Sequence, residues 1–256
     1  MSAHGMGFGA GYDERQPVVL LLDTSASMGR PVGNPRIDEL NDALTRWFDG
    51  VRAEPRLRAR VEVCLITFDS RVRVFDPGAG RLVPVEEAPA GRLFVPVDEM
   101  RPPRLDASGL TRMTEAVEAA LELARNRYRA LQEQHVQVRR PFLWVLTDGA
   151  PSDAAGRPLD AEALAGTAGR VRRGEQRGEC VFQAIGVRGA DLKLLEVLAP
   201  GAALMLENLD FGQILDLLFQ SSDRIGAVQD PGDVHRQLAD LAARRERMDR
   251  LERDHR

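Results

Sequence analysis

The 256-residue chain predicts a doubly wound, Rossmann-like α/β domain built on a mostly parallel sheet. Three observations carry that prediction. Apolar runs at residues 18–22, 61–68, 141–147 and 180–187 have the length and filling of strands buried on both faces. Stretches with apolar residues at helical spacing separate these runs, so strand and helix alternate from start to finish. Two of the runs stop abruptly at an aspartate, Asp23 and Asp148. The carboxyl ends of such strands are where open α/β sheets bind ligands.

Taken in order, residues 1–16 are rich in Gly, poor in apolar side chains, and read as a disordered lead-in. The first strand follows, and a Gly- and Pro-containing loop leads to residues 36–52. There Ile37, Leu40, Leu44, Trp47, Phe48 and Val51 recur at helical spacing. Residues 61–68 form the second strand. Between 71 and 105 the pattern is less regular: Val72, Val74 and Phe75 suggest a short edge strand, and 93–97 a second extended piece, with a loop between them. Thr111 stands where it would cap a long helix over 113–131, whose inward face carries Ala116, Val117, Ala120, Leu121 and Ala124. After the strand at 141–147 come an Ala-rich helix (160–173), a strand (180–187), a short helix (192–198) and a short strand (203–206). A helix over 211–225 turns Phe211, Ile214, Leu215, Leu218 and Phe219 inward. The tail, 227–256, is dominated by Arg, Asp and Glu, with Val234, Leu238, Leu241, Met248 and Leu251 drawing a thin apolar stripe. It reads as a charged amphipathic helix, either laid against its own domain or serving as a docking or short coiled-coil segment. Trp47 and Trp144 both read as core.

Composition narrows the function classes. An apolar fraction of 43% suffices for a substantial core, and a formal net charge of −4 argues against a general nucleic-acid binder. Cys64 and Cys180 are the only cysteines, lie within apolar runs and form no C-x-x-C pair. Free buried thiols in a reducing cytoplasm are therefore expected over a disulfide or a zinc site. The first residues lack the basic and apolar regions of a secretory signal, and no apolar run approaches the ~20 residues that span a bilayer. The expectation is a cytoplasmic protein that engages neither membrane nor nucleic acid.

Asp23, Ser25 and Ser27 set three oxygen donors at alternating positions just past a buried strand. Such a cluster suits a small, hard cation such as Mg2+, with waters completing the shell. The same residue types also cap helices, and these three alone leave both readings open. Thr111 and Asp148 add two more donors on crest loops. If the strands ending in Asp23 and Asp148 are neighbours, two carboxylates meet and repel, and a divalent cation relieves the repulsion. With three of five donors neutral, such a metal stays electrophilic and has room for an Asp or Glu from another molecule.

These motifs resemble those of a von Willebrand factor A (vWA) domain with a metal-ion-dependent adhesion site. The residues that carry the resemblance are D-T-S-A-S-M (23–28), G-L-T (109–111) and L-T-D-G-A-P-S-D (146–153), in the family's order, and it covers roughly residues 17–226. The chain is most similar to the bacterial branch typified by the tellurium-resistance protein TerY. V-V-L-L-L-D-T-S-A-S-M, T-D-G-x-P-x-D, and a late helix bearing Leu218-Phe219 and Ser221-Ser222 support that placement. The resemblance implies a sheet of about six strands whose antiparallel edge strand is the segment near Val72 and Phe75. It implies metal coordination by the hydroxyls of Ser25, Ser27 and Thr111, with Asp23 and Asp148 acting directly or through water. The cation would be Mg2+, with Mn2+ or Ca2+ as substitutes, and the partner a protein supplying Asp or Glu. Two departures are slight: Ala26 and Thr114 stand where Gly is frequent. A third is larger, since some relatives continue into a Cys-rich zinc module and this chain has its charged helix instead.

The resemblance implies a metal-dependent protein-binding module of a bacterial stress, metal-resistance or conflict system, and the expectation is that it is not an enzyme. A Mg2+-dependent phosphohydrolase lacks its D-x-D nucleophile motif here, because Ser25 holds the second acidic position. No G-x-x-x-x-G-K-[ST] loop exists, and the only lysine, Lys193, is in no such loop. His4, His135, His235 and His255 lie at the start, a helix end and the tail, where solvated surface is expected. The remaining alternative is a scaffold with a vestigial site, docking through its C-terminal helix. Neither the partner's identity nor the oligomeric state is written in any motif.

Overall fold

The computed structural model describes residues 14–89, 91–206, 209–225 and 231–254. Its elements in chain order are β1 (Glu14–Asp23), α1 (Arg36–Gly50), α2 (Pro55–Arg60), β2 (Val61–Phe68), β3 (Val72–Asp76), β4 (Arg81–Pro84) and β5 (Val95–Pro96). They continue with α3 (Met113–Glu133), β6 (Gln137–Val138), β7 (Phe142–Thr147), α4 (Ala161–Gln176), β8 (Val181–Gly186) and α5 (Leu192–Leu198). The chain finishes with β9 (Ala203–Met205), α6 (Phe211–Ile225) and α7 (Pro231–Asp254).

β1 is the axis. Val18 through Leu22 are fully buried, and alternate side chains feed two separate cores: Val18, Leu20 and Leu22 on one face, Val19 and Leu21 on the other. A strand that must satisfy two apolar layers reads as an unbroken apolar run, which is how it stands in the sequence. On the first face β1 meets Ile37, Leu40, Leu44 and Phe48 of α1, Leu215 and Phe219 of α6, and Val234 and Leu238 of α7. On the second it meets Met113, Val117 and Ala120 of α3, Val171 of α4 and Leu195 of α5. Each large side chain buried this way contributes about 1.5–3 kcal/mol. Aromatic rings tie α6 to the sheet and to α1. Phe219 stacks on Trp47 at 3.8 Å and meets Trp144 edge-on at 5.0 Å.

The sheet order is β4-β3-β2-β1-β7-β8-β9, with β5 added to β2 and β6 to β1. β2, β1, β7, β8 and β9 run parallel, while the pairs β2–β3, β3–β4 and β2–β5 are antiparallel. The parallel strands and antiparallel edge are as expected. The edge itself differs: it is a hairpin, and β4, not β3, is outermost. Residues 81–84, expected as loop, pair because Val83 is buried against the second core opposite Val74. Among the described residues nine strands thus stand where about six were expected, the extra ones two to four residues long.

Three further expectations change. Glu14 to Gln16, assigned to the lead-in, begin β1: they pair with β6 and with Val61, and Glu14 meets Arg139 at 2.7 Å. The rest of the expected lead-in lies outside the described residues. α2 had no apolar periodicity to reveal it and buries no residue fully; Pro55 at its start sets it. His235, expected on a solvated surface, is only 7% exposed. The first turns of α7 pack with Val234, Leu238 and Ala242 inward, which places its Nε2 3.2 Å from Glu175. Farther along α7, Met248 and Leu251 are exposed. Cys64, in β2, and Cys180, just before β8, are free, buried thiols, and β1 and β7 lie between those two strands.

The approach to the crest is pinned by Asn41. Its buried amide donates to Leu105 O at 2.8 Å and accepts from Leu105 N at 2.7 Å, fastening the segment before the Thr111 loop to α1. Asn41→Ala leaves a buried N–H and C=O without partners, each costing about 1–3 kcal/mol. Urea unfolding of this variant is expected to show a loss of about 2–4 kcal/mol. A loss below half a kcal/mol would mean that the segment is held elsewhere.

Candidate metal centre

The chain leaves β1 toward β2 on one side and later returns on the other side through β7, so the sheet's topological switch point lies between β1 and β7. The register pairs Leu22 with Leu146, which sets Asp23 beside Thr147 and one residue from Asp148. All five residues singled out in the sequence lie at this crest. Asp23, Ser25, Thr111 and Asp148 are buried, and Ser27 is half-buried.

Hydrogen bonds link four of them, Asp23, Ser25, Ser27 and Asp148, in series. Asp23 Oδ1 accepts from the backbone N–H of Ser25 at 2.8 Å, and Oδ2 accepts from the Thr147 hydroxyl at 2.5 Å. Ser25 and Ser27 Oγ are 2.9 Å apart, and Ser27 donates to Asp148 Oδ1 at 2.6 Å. Ser25 stands at the N-cap of the short 3-10 turn over Ala26–Gly29 without a side-chain cap bond, and Ser27 lies within that turn, so the capping alternative does not account for them. Thr111 likewise caps nothing; the first turn of α3 has no side-chain cap.

Gly149 shows where these donors converge. A Cβ added there would lie 3.5 Å from Ser27 Oγ, 3.6 Å from Thr111 Oγ1 and 3.9 Å from Asp23 Oδ2. The absent side chain leaves a small cradle faced by three oxygens, two from the end of β1 and the turn after it and one from the Thr111 loop. The loops are knit by backbone hydrogen bonds: Ala26 N to Gly109 O, Ser108 N to Thr24 O, and Ser152 N to Thr111 O. Gly109 is needed in this arrangement, having φ +74° and no room for a Cβ, which would lie 2.4 Å from Ser70 Oγ.

The electrostatics are those of a site short of positive charge. Burial pushes the Asp23 carboxyl up to about 6, with the Asp148 charge adding to the rise and hydrogen bonds from Ser25 and Thr147 opposing it. Asp148 is compensated on one side: its Oδ2 forms an ion pair with Arg36 at the start of α1. Two carboxylates and three hydroxyls are hard oxygen donors of the kind Mg2+, Mn2+ and Ca2+ accept. Among the described residues no cluster of three His, Cys, Asp or Glu exists, so the donor set is of the hydroxyl-rich type. The residues present fit such a cation.

Three contributors escaped the sequence reading. Thr147 stands in the quoted T-D-G motif without a role of its own, although its place before Asp148 and opposite Asp23 is what lets it hold Asp23. Ser152 accepts from Thr111 N at 3.0 Å and so positions the threonine. Arg36 looked like an ordinary first helical residue, and no local signal links it to Asp148, 112 positions away. Asp153 and Asp160, which flank the crest loop, make local contacts of their own. Asp153 accepts from Ala155 N and Arg157 N, and Asp160 caps α4 through Ala163 N.

No family model and no curated protein matches this sequence. Solved structures do. The vWF domain of the type V pili tip protein Mfa5 from Porphyromonas gingivalis superposes with a TM-score of 0.53 at 11% identity, over 83% of this chain and 96% of that one. The fold is that of a vWA domain. A von Willebrand factor type A protein from Catenulispora acidiphila matches at TM-score 0.49 and 16% identity, over 82% of this chain and 42% of that one. Proximal thread matrix protein 1 from the mussel byssus matches at TM-score 0.49 and 15% identity, over 83% of this chain and 46% of that one. This chain thus spans less than half the length of the latter two. Among the described residues, no helix is long and apolar enough to cross a membrane.

Two substitutions test the geometry. Gly149→Ala places a methyl at ordinary contact distance from its neighbours, so thermal stability is expected to stay within about 0.5 kcal/mol of the parent. Calorimetry should find divalent-cation binding lost, because the cradle is filled; retained binding would put the cation elsewhere. Thr147→Val removes a donor to a buried carboxylate and is expected to cost about 1–3 kcal/mol in urea unfolding, with Thr147→Ser restoring most of it.

Proposed function

We propose that this protein is a metal-dependent protein-interaction module, holding a divalent cation at the β1/β7 crest and capturing an Asp or Glu of a partner protein. Asp23, Ser25, Ser27, Thr111 and Asp148 hold the cation, Mg2+ in the first instance, with Mn2+ or Ca2+ as substitutes. The observation that carries this reading is the cradle at Gly149, faced by oxygens of Ser27, Thr111 and Asp23 beside a second buried carboxylate. When bound, the cation offers a Lewis-acidic position to an incoming carboxylate. The chain's own residues supply the rest. Ser25 and Ser27 keep the donor set poor in charge, Thr147 holds Asp23 in place, and Gly149 leaves the position open.

The setting we propose is the bacterial cytoplasm, in a stress, metal-resistance or conflict system of the TerY-like kind. The three sequence features quoted for that branch and the two free, buried thiols support it. A binding role, not a catalytic one, fits a crest with no D-x-D pair and no phosphate loop.

The test begins with the cation. Mg2+ at about a hundred times its dissociation constant stabilises the folded state by about 2.7 kcal/mol, or roughly 5–10 °C in Tm for a chain of this size. That rise is expected for the wild type and not for a Ser25→Ala, Ser27→Ala double variant that is folded by circular dichroism. Lysate pull-downs in Mg2+, in chelator and with the double variant then follow. A protein retained only by metal-loaded wild type supports the proposal; equal retention in all three moves the interface away from the crest, toward α7.

A further inference from the structure

Among the described residues, Arg36 is the one cationic side chain that pairs with the five-residue cluster. It stands at the first position of α1, with a side chain 24% exposed, and its Nη1 pairs with an Asp148 side chain that is fully buried. The two oxygens of Asp148 are thereby divided: Oδ1 accepts from Ser27 and Oδ2 faces the guanidinium. Among the groups in mutual contact, two carboxylates and one guanidinium leave one net negative charge. A divalent cation added to them reverses that to one net positive charge.

We propose that Arg36 is a resident counter-cation of this site and sets its charge selectivity. It neutralises Asp148 in the unloaded protein, opposes uptake of a divalent cation, and leaves the loaded crest positive, so that an anionic group is favoured as the next ligand. The proposal rests on the metal-binding reading given above. Its physical basis is position. A like charge a few ångströms from a divalent ion weakens its binding by about tenfold even in a water-like dielectric, and by more where water is excluded. The same guanidinium is the only compensation that the buried Asp148 receives from a charged side chain of this cluster, so its loss strains the unloaded fold. A residue that merely positioned Asp148 would act with the opposite sign on metal binding.

The experiment measures Mn2+ affinity by calorimetry and electron paramagnetic resonance, together with metal-free thermal stability. The proteins compared are wild type, Arg36→Gln and Arg36→Lys. Arg36→Gln is expected to bind Mn2+ about tenfold more tightly than wild type while melting at a lower temperature without metal. Arg36→Lys, which keeps the charge, is expected to stay within about threefold of wild type. If Arg36→Gln binds more weakly or unchanged, the counter-cation role is wrong although the metal site stands. If wild type shows no saturable Mn2+ binding, the metal-binding reading fails and this inference with it. Should Arg36→Gln not fold, Arg36→Lys and Arg36→Met carry the comparison, with Met tighter and Lys unchanged as the expected order. Equal affinity of those two overturns the proposal.

Discussion

Two carboxylates end adjacent parallel strands at the one place where the chain's path across the sheet reverses, and much of the crest is arranged around keeping them there. Left bare, buried charges at such separation cost several kcal/mol each. The protein answers in different ways for the two. Asp23 is held by neutral donors, the Thr147 hydroxyl and a backbone N–H, and its acidity is correspondingly weakened by burial. Asp148 is held by one hydroxyl and one guanidinium. The asymmetry leaves Asp23 as the side of the site still lacking positive charge.

The surrounding fold makes that arrangement rigid. β1 is packed on both faces, so its end cannot shift without disturbing two cores at once. The loops that bring Ser27, Thr111 and Gly149 together are cross-linked by backbone hydrogen bonds, and Asn41 anchors the approach to one of them. Positioning by secondary structure and backbone bonds suits a site whose ligands must meet within a few tenths of an ångström.

Much of this was legible in the sequence, for a physical reason. Strands buried on two faces write themselves as apolar runs, and the oxygen donors stand directly after them, so both the sheet and the five crest residues could be read locally. What escaped was non-local or weakly patterned. Arg36 meets Asp148 across 112 positions, and nothing in the spacing of either announces it. β4 and α2 are short and only partly buried, so neither carries a full period of apolar residues. His235 lies on a helix dominated by charge, and only the docking of that helix against the sheet brings it inside.

The edge hairpin has a consequence for how the molecule meets others. An open sheet ends in rows of unpaired backbone groups that invite a neighbouring chain to add a strand. Here the outer strand on one side is four residues long, begins with an exposed arginine and closes with a proline, which has no N–H to give. On the opposite side β9 has only three residues. Both margins therefore offer a poor template for strand-to-strand recruitment, which disfavours stacking of copies edge to edge. The proposed partner-binding crest lies away from both margins, at the end of the strands, where side chains rather than backbone groups are presented.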